Sequence, residues 1–178
     1  MADEFISGQS TARKAAAILA AKNAGFWVPT ARQKQNLAVA FAKRGMVVYG
    51  KAFDIVRTTS EVNLDDLAEV ERHLGKITIF EIKSTRKKLK PDFAKYFFAL
   101  TAAEVLVAQS LKKNFKFVFV NTTTGDFLEL DLVGIFASSP LKNRSFSRNA
   151  ATTIFCGRLG TLAVSATTNP NPGSARFW

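Results

Sequence analysis

A single cysteine, Cys156, stands in this chain of 178 residues. It excludes an intramolecular disulfide framework and fits a reducing compartment. The one histidine, His73, has no second histidine near it and only that cysteine as a soft companion. A zinc site and a Cys–His nucleophile are therefore not expected. No apolar run approaches the roughly 18 residues of a membrane span. The opening MADEFISGQS carries two early acids and no basic segment ahead of an apolar core, so it does not read as a secretory signal, and a cytoplasmic protein is expected. Gly157-Arg158-Leu159-Gly160 lacks the Gly-Lys-Ser/Thr ending of a phosphate-cradling loop, and no Ser-His-Asp order with an elbow motif occurs. Residues 138–178 contain no acid at all.

What is present is positive charge. The formal net charge is +11 and the isoelectric point about 10. In a folded domain, an excess of that size points to a polyanionic partner, most often nucleic acid. Hydrophobic residues make up 47%, enough for a sizeable core, and the 16 Phe against 2 Tyr and 2 Trp read as core filler. Residues 1–137 form the expected α/β domain. Residues 138–178, with Lys142, Arg144, Arg148, Arg158 and Arg176 among Ser, Thr, Asn, Gly and Pro, read as a basic, partly irregular extension.

Along the chain, an Ala-rich helix is expected over 10–24, capped by Ser10 or Thr11 and stopped by Gly25. Residues 26–30 read as a turn. Thr30 caps a second helix over 31–44, ended by Gly45. Met46–Tyr49 begins the β region, and 52–59 is a β-rich run holding Asp54. An acidic helix follows at 64–74 and a strand at 76–84. The 3–4 spacing of Phe93, Phe97, Leu100, Glu104, Val107 and Leu111 predicts one long helix over 92–112, with Asp92 as its cap. Strands are expected at 115–120 and 127–132, a helical turn at 133–137, and a strand pair at 152–156 and 162–164.

The strand Ile77-Thr78-Ile79-Phe80-Glu81-Ile82-Lys83-Ser84-Thr85 is the most informative stretch. Alternation puts Glu81 and Lys83 on one side and Phe80 and Ile82 on the other, pointing into the core. Arg86, Lys87, Lys88 and Lys90 follow at once, with Lys95 placed early on the next helix. A carboxylate beside an ammonium at the end of a buried strand fits metal-assisted phosphodiester cleavage. Mg²⁺ takes hard oxygen ligands and keeps several waters, so Asp54, Glu81 and a backbone carbonyl such as that of Ile82 suffice to hold it. Lys83 then positions or deprotonates the attacking water, or stabilises charge growing on phosphorus. The same residues also fit blander roles: Glu81 and Lys83 as a surface pair on an edge strand, Asp54 as a turn acid, and the basic run as a solvated loop. If Asp54 is only a turn acid, Asp65 or Asp66 is the alternative.

The succession of an acid on one strand, Glu-Ile-Lys on the next, then a helix and another strand resembles the PD-(D/E)XK nuclease superfamily over roughly residues 30–132. Asp54 and Glu81 lie 27 positions apart (81 − 54), within that family's range. Phe53 stands where the pattern places proline. The helix ahead offers Gln33 and Gln35 where a further acid is common. The resemblance implies a restriction-endonuclease-like core, a central mixed β-sheet flanked by helices. It implies catalysis by Asp54, Glu81 and Lys83, a Mg²⁺ cofactor with Mn²⁺ as substitute, and DNA as partner. Arg86, Lys87, Lys88, Lys90, Lys95, Arg144 and Arg148 are the expected phosphate contacts. A homodimer is expected, because one such site cuts one strand. A restriction or homing enzyme, a junction resolvase and a repair nuclease all fit. So does a non-catalytic nucleic-acid-binding protein.

Overall fold

The computed structural model describes residues 2–22, 24–138 and 153–158, with side chains over 11–22 and 24–137. The elements are helix α1 (Ala2–Ala21), strand β1 (Phe26–Trp27), helix α2 (Ala31–Lys43), strand β2 (Ile55–Thr58), helix α3 (Leu67–His73) and strand β3 (Ile77–Thr85). Strand β4 (Phe97–Thr101), helix α4 (Ala102–Leu111), strands β5 (Phe115–Asn121) and β6 (Phe127–Leu130), helix α5 (Leu132–Ser138) and strand β7 (Thr153–Arg158) complete them.

Five strands form one mixed sheet in the order β1-β2-β3-β5-β6. Strands β1, β2 and β3 are antiparallel neighbours, β3 and β5 run parallel, and β6 returns antiparallel to β5. The β3-to-β5 connection passes through β4 and α4, the kind of crossover that parallel neighbours require. Both faces of the sheet are covered. Ala15, Ala16 and Leu19 of α1 close one face over Phe26, Ile55, Phe80, Ile82, Val118 and Val120. Leu37 and Phe41 of α2 and Val107 and Leu111 of α4 close the other over Val56, Ile77, Ile79, Phe117 and Phe119. The fold is therefore α/β, a five-stranded mixed sheet flanked by helices.

Several sequence expectations hold. Thr30 caps α2 in a full capping box with Gln33. Gly45, at φ 72°, closes the helix with N–H bonds from Gly45 to Ala42 O and from Met46 to Phe41 O, the paired bonds of a Schellman ending. Others are corrected. Helix α1 runs from Ala2, so Ser10 and Thr11 lie inside it rather than capping it. Phe26–Trp27 is a short strand rather than a turn, paired with Arg57 and Val56. Residues 46–49 form no strand; the Val47 N–H donates instead to Ser110 Oγ at 2.6 Å.

The largest correction falls on 92–112. Phe93 (φ 55°) and Lys95 (φ 69°) occupy the left-handed region, which breaks a helix. Residues 97–101 become a strand antiparallel to 153–158. Helix α4 begins only at Ala102, capped by Thr101 rather than Asp92. Lys95 is thus on a turn, not early on a helix. Strand β7 comes from the acid-free segment yet pairs within the first 137 residues. The expected strand at 162–164, together with Arg144 and Arg148, lies outside the described residues.

Candidate functional site

Strand β3 places Glu81 and Lys83 on the same face as Ile77 and Ile79, under the layer of α2 and α4. Phe80 and Ile82 turn to the α1 side, as alternation requires. Glu81 is not a surface acid: it is 9% exposed. Lys83 Nζ donates to Glu81 Oε1 at 3.2 Å.

Asp54 stands one residue ahead of β2, where the register pairs Ile55 with Phe80. Its N–H donates to Phe80 O at 2.8 Å, and its Oδ2 accepts from the Ile82 N–H at 3.0 Å. Asp54 is therefore bound to the backbone on either side of Glu81. In an extended strand the N–H and C=O of one residue share a side, so the Ile82 carbonyl also turns toward Asp54. The loop presenting Asp54 is strapped from α2. Lys34 Nζ donates to Phe53 O at 2.7 Å and to Gly50 O at 3.4 Å, and it lies 4.8 Å from the centre of the buried Phe53 ring. A cavity of about 340 Å³ opens beside Asp54, walled by Arg13 and the alanines of α1, Val28 and Lys34.

A third carboxylate completes the cluster. Glu104 is 7% exposed, at the third position of α4, and it forms a capping box with Thr101. Its N–H donates to Thr101 Oγ1 at 3.2 Å, while its Oε2 accepts from the Thr101 N–H at 3.1 Å. The same Oε2 accepts from Lys83 Nζ at 2.8 Å. Glu104 was legible only as part of a helical stripe. Its sharper signal is Thr101-Ala102-Ala103-Glu104, the capping-box spacing.

Electrostatics follow from this packing. Burial pushes the Glu81 carboxyl well above its ordinary 4.5. The Lys83 ammonium opposes that shift, and the nearby Asp54 and Glu104 carboxylates add to it. Burial alone would lower Lys83, but Glu81 and Glu104 outweigh it and hold the ammonium above 10.5. Two carboxylates contact one ammonium, with Asp54 bonded to the neighbouring backbone.

The other expected residues divide. Arg86, Lys87, Lys88 and Lys90 are exposed on the loop leaving β3, and Lys95 is exposed beyond it. That loop is tethered by its backbone. Asn121 Nδ2 donates to Lys87 O at 3.1 Å, and Thr123 Oγ1 donates to Arg86 O at 3.0 Å. Tyr96 is packing: its ring meets Phe93, Phe98 and Phe119, and its hydroxyl donates to Ser84 O at 2.8 Å. Gln33 is spent on the α2 cap and on Asp65 Oδ2, 2.9 Å from its Nε2. Gln35 is exposed on α2. Asp65 and Asp66 are exposed, one holding Gln33 and the other capping α3, so neither replaces Asp54.

The donor chemistry fits a hard divalent cation. Asp54 and Glu81 offer carboxylates from adjoining strands, and Mg²⁺ is commonly held through one or two carboxylates while it keeps several waters. Among the described residues no three His, Cys, Asp or Glu side chains converge as a closed metal cage, so protein ligands beyond these two carboxylates would come from the backbone. No family model, curated protein or solved structure matches this chain.

Proposed function

We propose that this chain is a Mg²⁺-dependent endodeoxyribonuclease of the PD-(D/E)XK type, with a restriction-endonuclease-like core. One observation carries the reading: Asp54, 27 positions ahead of Glu81 in sequence (81 − 54), lies just before β2 and beside the Glu81-Ile82-Lys83 triplet in the middle of β3. Asp54 is bonded to the Ile82 N–H inside the Glu-Ile-Lys triplet itself. Asp54 beside β2, the triplet on β3, then α4 and β5 follow the order that the resemblance implies, with strand β4 inserted ahead of α4.

Asp54, Glu81 and the Ile82 carbonyl would hold Mg²⁺, or Mn²⁺ in its place. Such an ion polarises the phosphate and lowers the pKa of a bound water. The rest falls to the protein's own groups. Lys83, kept charged by its two carboxylates, stabilises negative charge on the scissile phosphate. Lys34 holds the Asp54 loop in place. Exposed Lys87, Lys88, Lys90 and Lys95 contact flanking phosphates. Cleavage of both strands of a duplex requires two copies, hence a homodimer, and the basic extension with Arg144 and Arg148 supports site-specific cutting. Among the described residues no helix is long and apolar enough to cross a membrane.

The test is incubation of the purified protein with supercoiled plasmid and phage DNA in Mg²⁺ and in EDTA, beside Asp54→Ala. Discrete Mg²⁺-dependent fragments, absent with the variant, are expected. Fragments unaffected by EDTA or by the substitution overturn the reading.

A second reading is a non-catalytic nucleic-acid-binding protein, favoured by the closed contact of Lys83 with both Glu81 and Glu104. Lys83→Ala separates the two. Lost cleavage with unchanged DNA affinity supports the nuclease, whereas altered affinity with no cleavage by either form supports the binding protein.

A further inference from the structure

Lys83 is held twice. Its ammonium reaches Glu81 Oε1 at 3.2 Å and Glu104 Oε2 at 2.8 Å, and its side chain is 14% exposed. The shorter contact is to the residue that no strand motif contains. Glu104 is also the better anchored of the two acids, because its Oε2 is fixed by the Thr101 N–H at the start of α4. Glu81 has the opposite demand on it under the nuclease reading, since a cation at Asp54 and Glu81 competes with Lys83 for the same carboxylate. A buried ammonium stripped of its only counter-charge is costly, because its charge is left uncompensated in a poorly solvated interior. A lysine with a second buried carboxylate does not meet that cost.

We propose that Glu104 is a positioning residue that retains Lys83 in the site when Glu81 turns to a divalent cation. The proposal rests on the nuclease reading for the cation and on the observed geometry for the rest. Glu104 acts through Lys83: it lets Glu81 be released without expelling the ammonium from the site. It also predicts that the lysine and the cation are held side by side rather than in exchange.

The experiment is calorimetric titration of Mn²⁺ into wild type, Glu104→Gln, Lys83→Gln and the double variant, with the melting temperature of each measured alongside. Glutamine serves at the third position of a capping box, so Glu104→Gln keeps α4 closed. With Lys83 present, Glu104→Gln is expected to weaken Mn²⁺ binding about tenfold, the usual scale for a group supporting a ligand. With Lys83→Gln, the same change is expected to cost less than about twofold, because the competitor for Glu81 is gone. Equal losses in both backgrounds mean that Glu104 meets the ion directly or only supports the fold, and they overturn the proposal while leaving the nuclease reading intact. A wild type that binds no Mn²⁺ overturns both. Glu104→Asp, one methylene short of Lys83, is expected to match Glu104→Gln; wild-type Mn²⁺ affinity there overturns the proposal even if the glutamine variant does not fold.

Discussion

At the scale of single residues, the site is a dispute over protons and counter-ions. Glu81 is raised because burial penalises its charge, and Asp54 and Glu104 add to that penalty. A carboxyl whose folded value lies above its unfolded one stabilises the fold fully below about 4.5, and that contribution drains as the pH rises through the raised value. Glu81→Gln removes the drain. The variant is expected to gain stability on wild type steadily from pH 5 to pH 8, followed by thermal melts across that range; a widening loss would sink the assignment. Lys83→Met behaves oppositely, because it leaves two buried carboxylates facing each other without a counter-ion. A destabilisation of about 3–5 kcal/mol is expected in denaturant titrations at pH 7, with partial recovery in Lys83→Met/Glu81→Gln. Asp54, Glu81 and Lys83 were all legible in the sequence, because each sits on or beside an apolar run whose alternation fixes which way it points. Glu104 is not legible as a site residue, since an acid on a helical stripe looks the same in sequence whether it caps, pairs or lies idle.

At the scale of elements, the two capping boxes form a natural pair. Thr30 and Thr101 make the same bonds at the starts of α2 and α4, and loss of either hydroxyl is expected to cost about 1 kcal/mol. At α4 the Thr101 backbone N–H, which survives Thr101→Ala, fixes the carboxylate that holds Lys83. Thr30→Ala and Thr101→Ala should therefore lower the melting temperature similarly and leave cleavage near the wild-type rate. A several-fold loss of cleavage with Thr101→Ala alone would show that the hydroxyl, through the Glu104 N–H, also holds the carboxylate in place. Strands β2, β3 and β5 were legible because each carries its own apolar run between turn residues. The span 92–112 was not, and the reason is physical. Phe93, Phe97 and Leu100 satisfy a helical period, but Phe98 and Leu100 also satisfy a strand's alternation and are the buried pair. What decides between them is β7, more than fifty residues away, whose backbone pairs with 97–101. Local propensity carries no information about such a partner. Residues 46–49 show the converse: their composition is strand-like, but no strand among the described residues pairs with them.

At the scale of the whole molecule, charge is divided along the strands. The C-terminal end of β3 leads from the Glu81–Lys83–Glu104 cluster directly into the exposed run Lys87, Lys88 and Lys90. Strand β5 runs parallel to β3, so Lys112 and Lys113 before β5 and Lys76 before β3 lie at the opposite end of the sheet, exposed as well. Two lysine triplets of equal charge thus flank the same domain, one beside the candidate site and one remote from it. If the basic excess of +11 acts only as a diffuse attraction, neutralising either triplet weakens DNA binding alike. If the site end is where the duplex lies, each phosphate contact there contributes about 0.9 to the dependence of log K on log salt concentration. Lys87→Ala/Lys88→Ala/Lys90→Ala is then expected to flatten that slope by up to about 2.7 units, while Lys76→Ala/Lys112→Ala/Lys113→Ala leaves it near the wild-type value. Fluorescence anisotropy with a labelled duplex, from low to moderate salt in the presence of EDTA, reads both slopes without cleavage. Equal flattening by the two triplets would remove the β3 end of the sheet as the nucleic-acid face and detach the basic loop from the carboxylate cluster behind it.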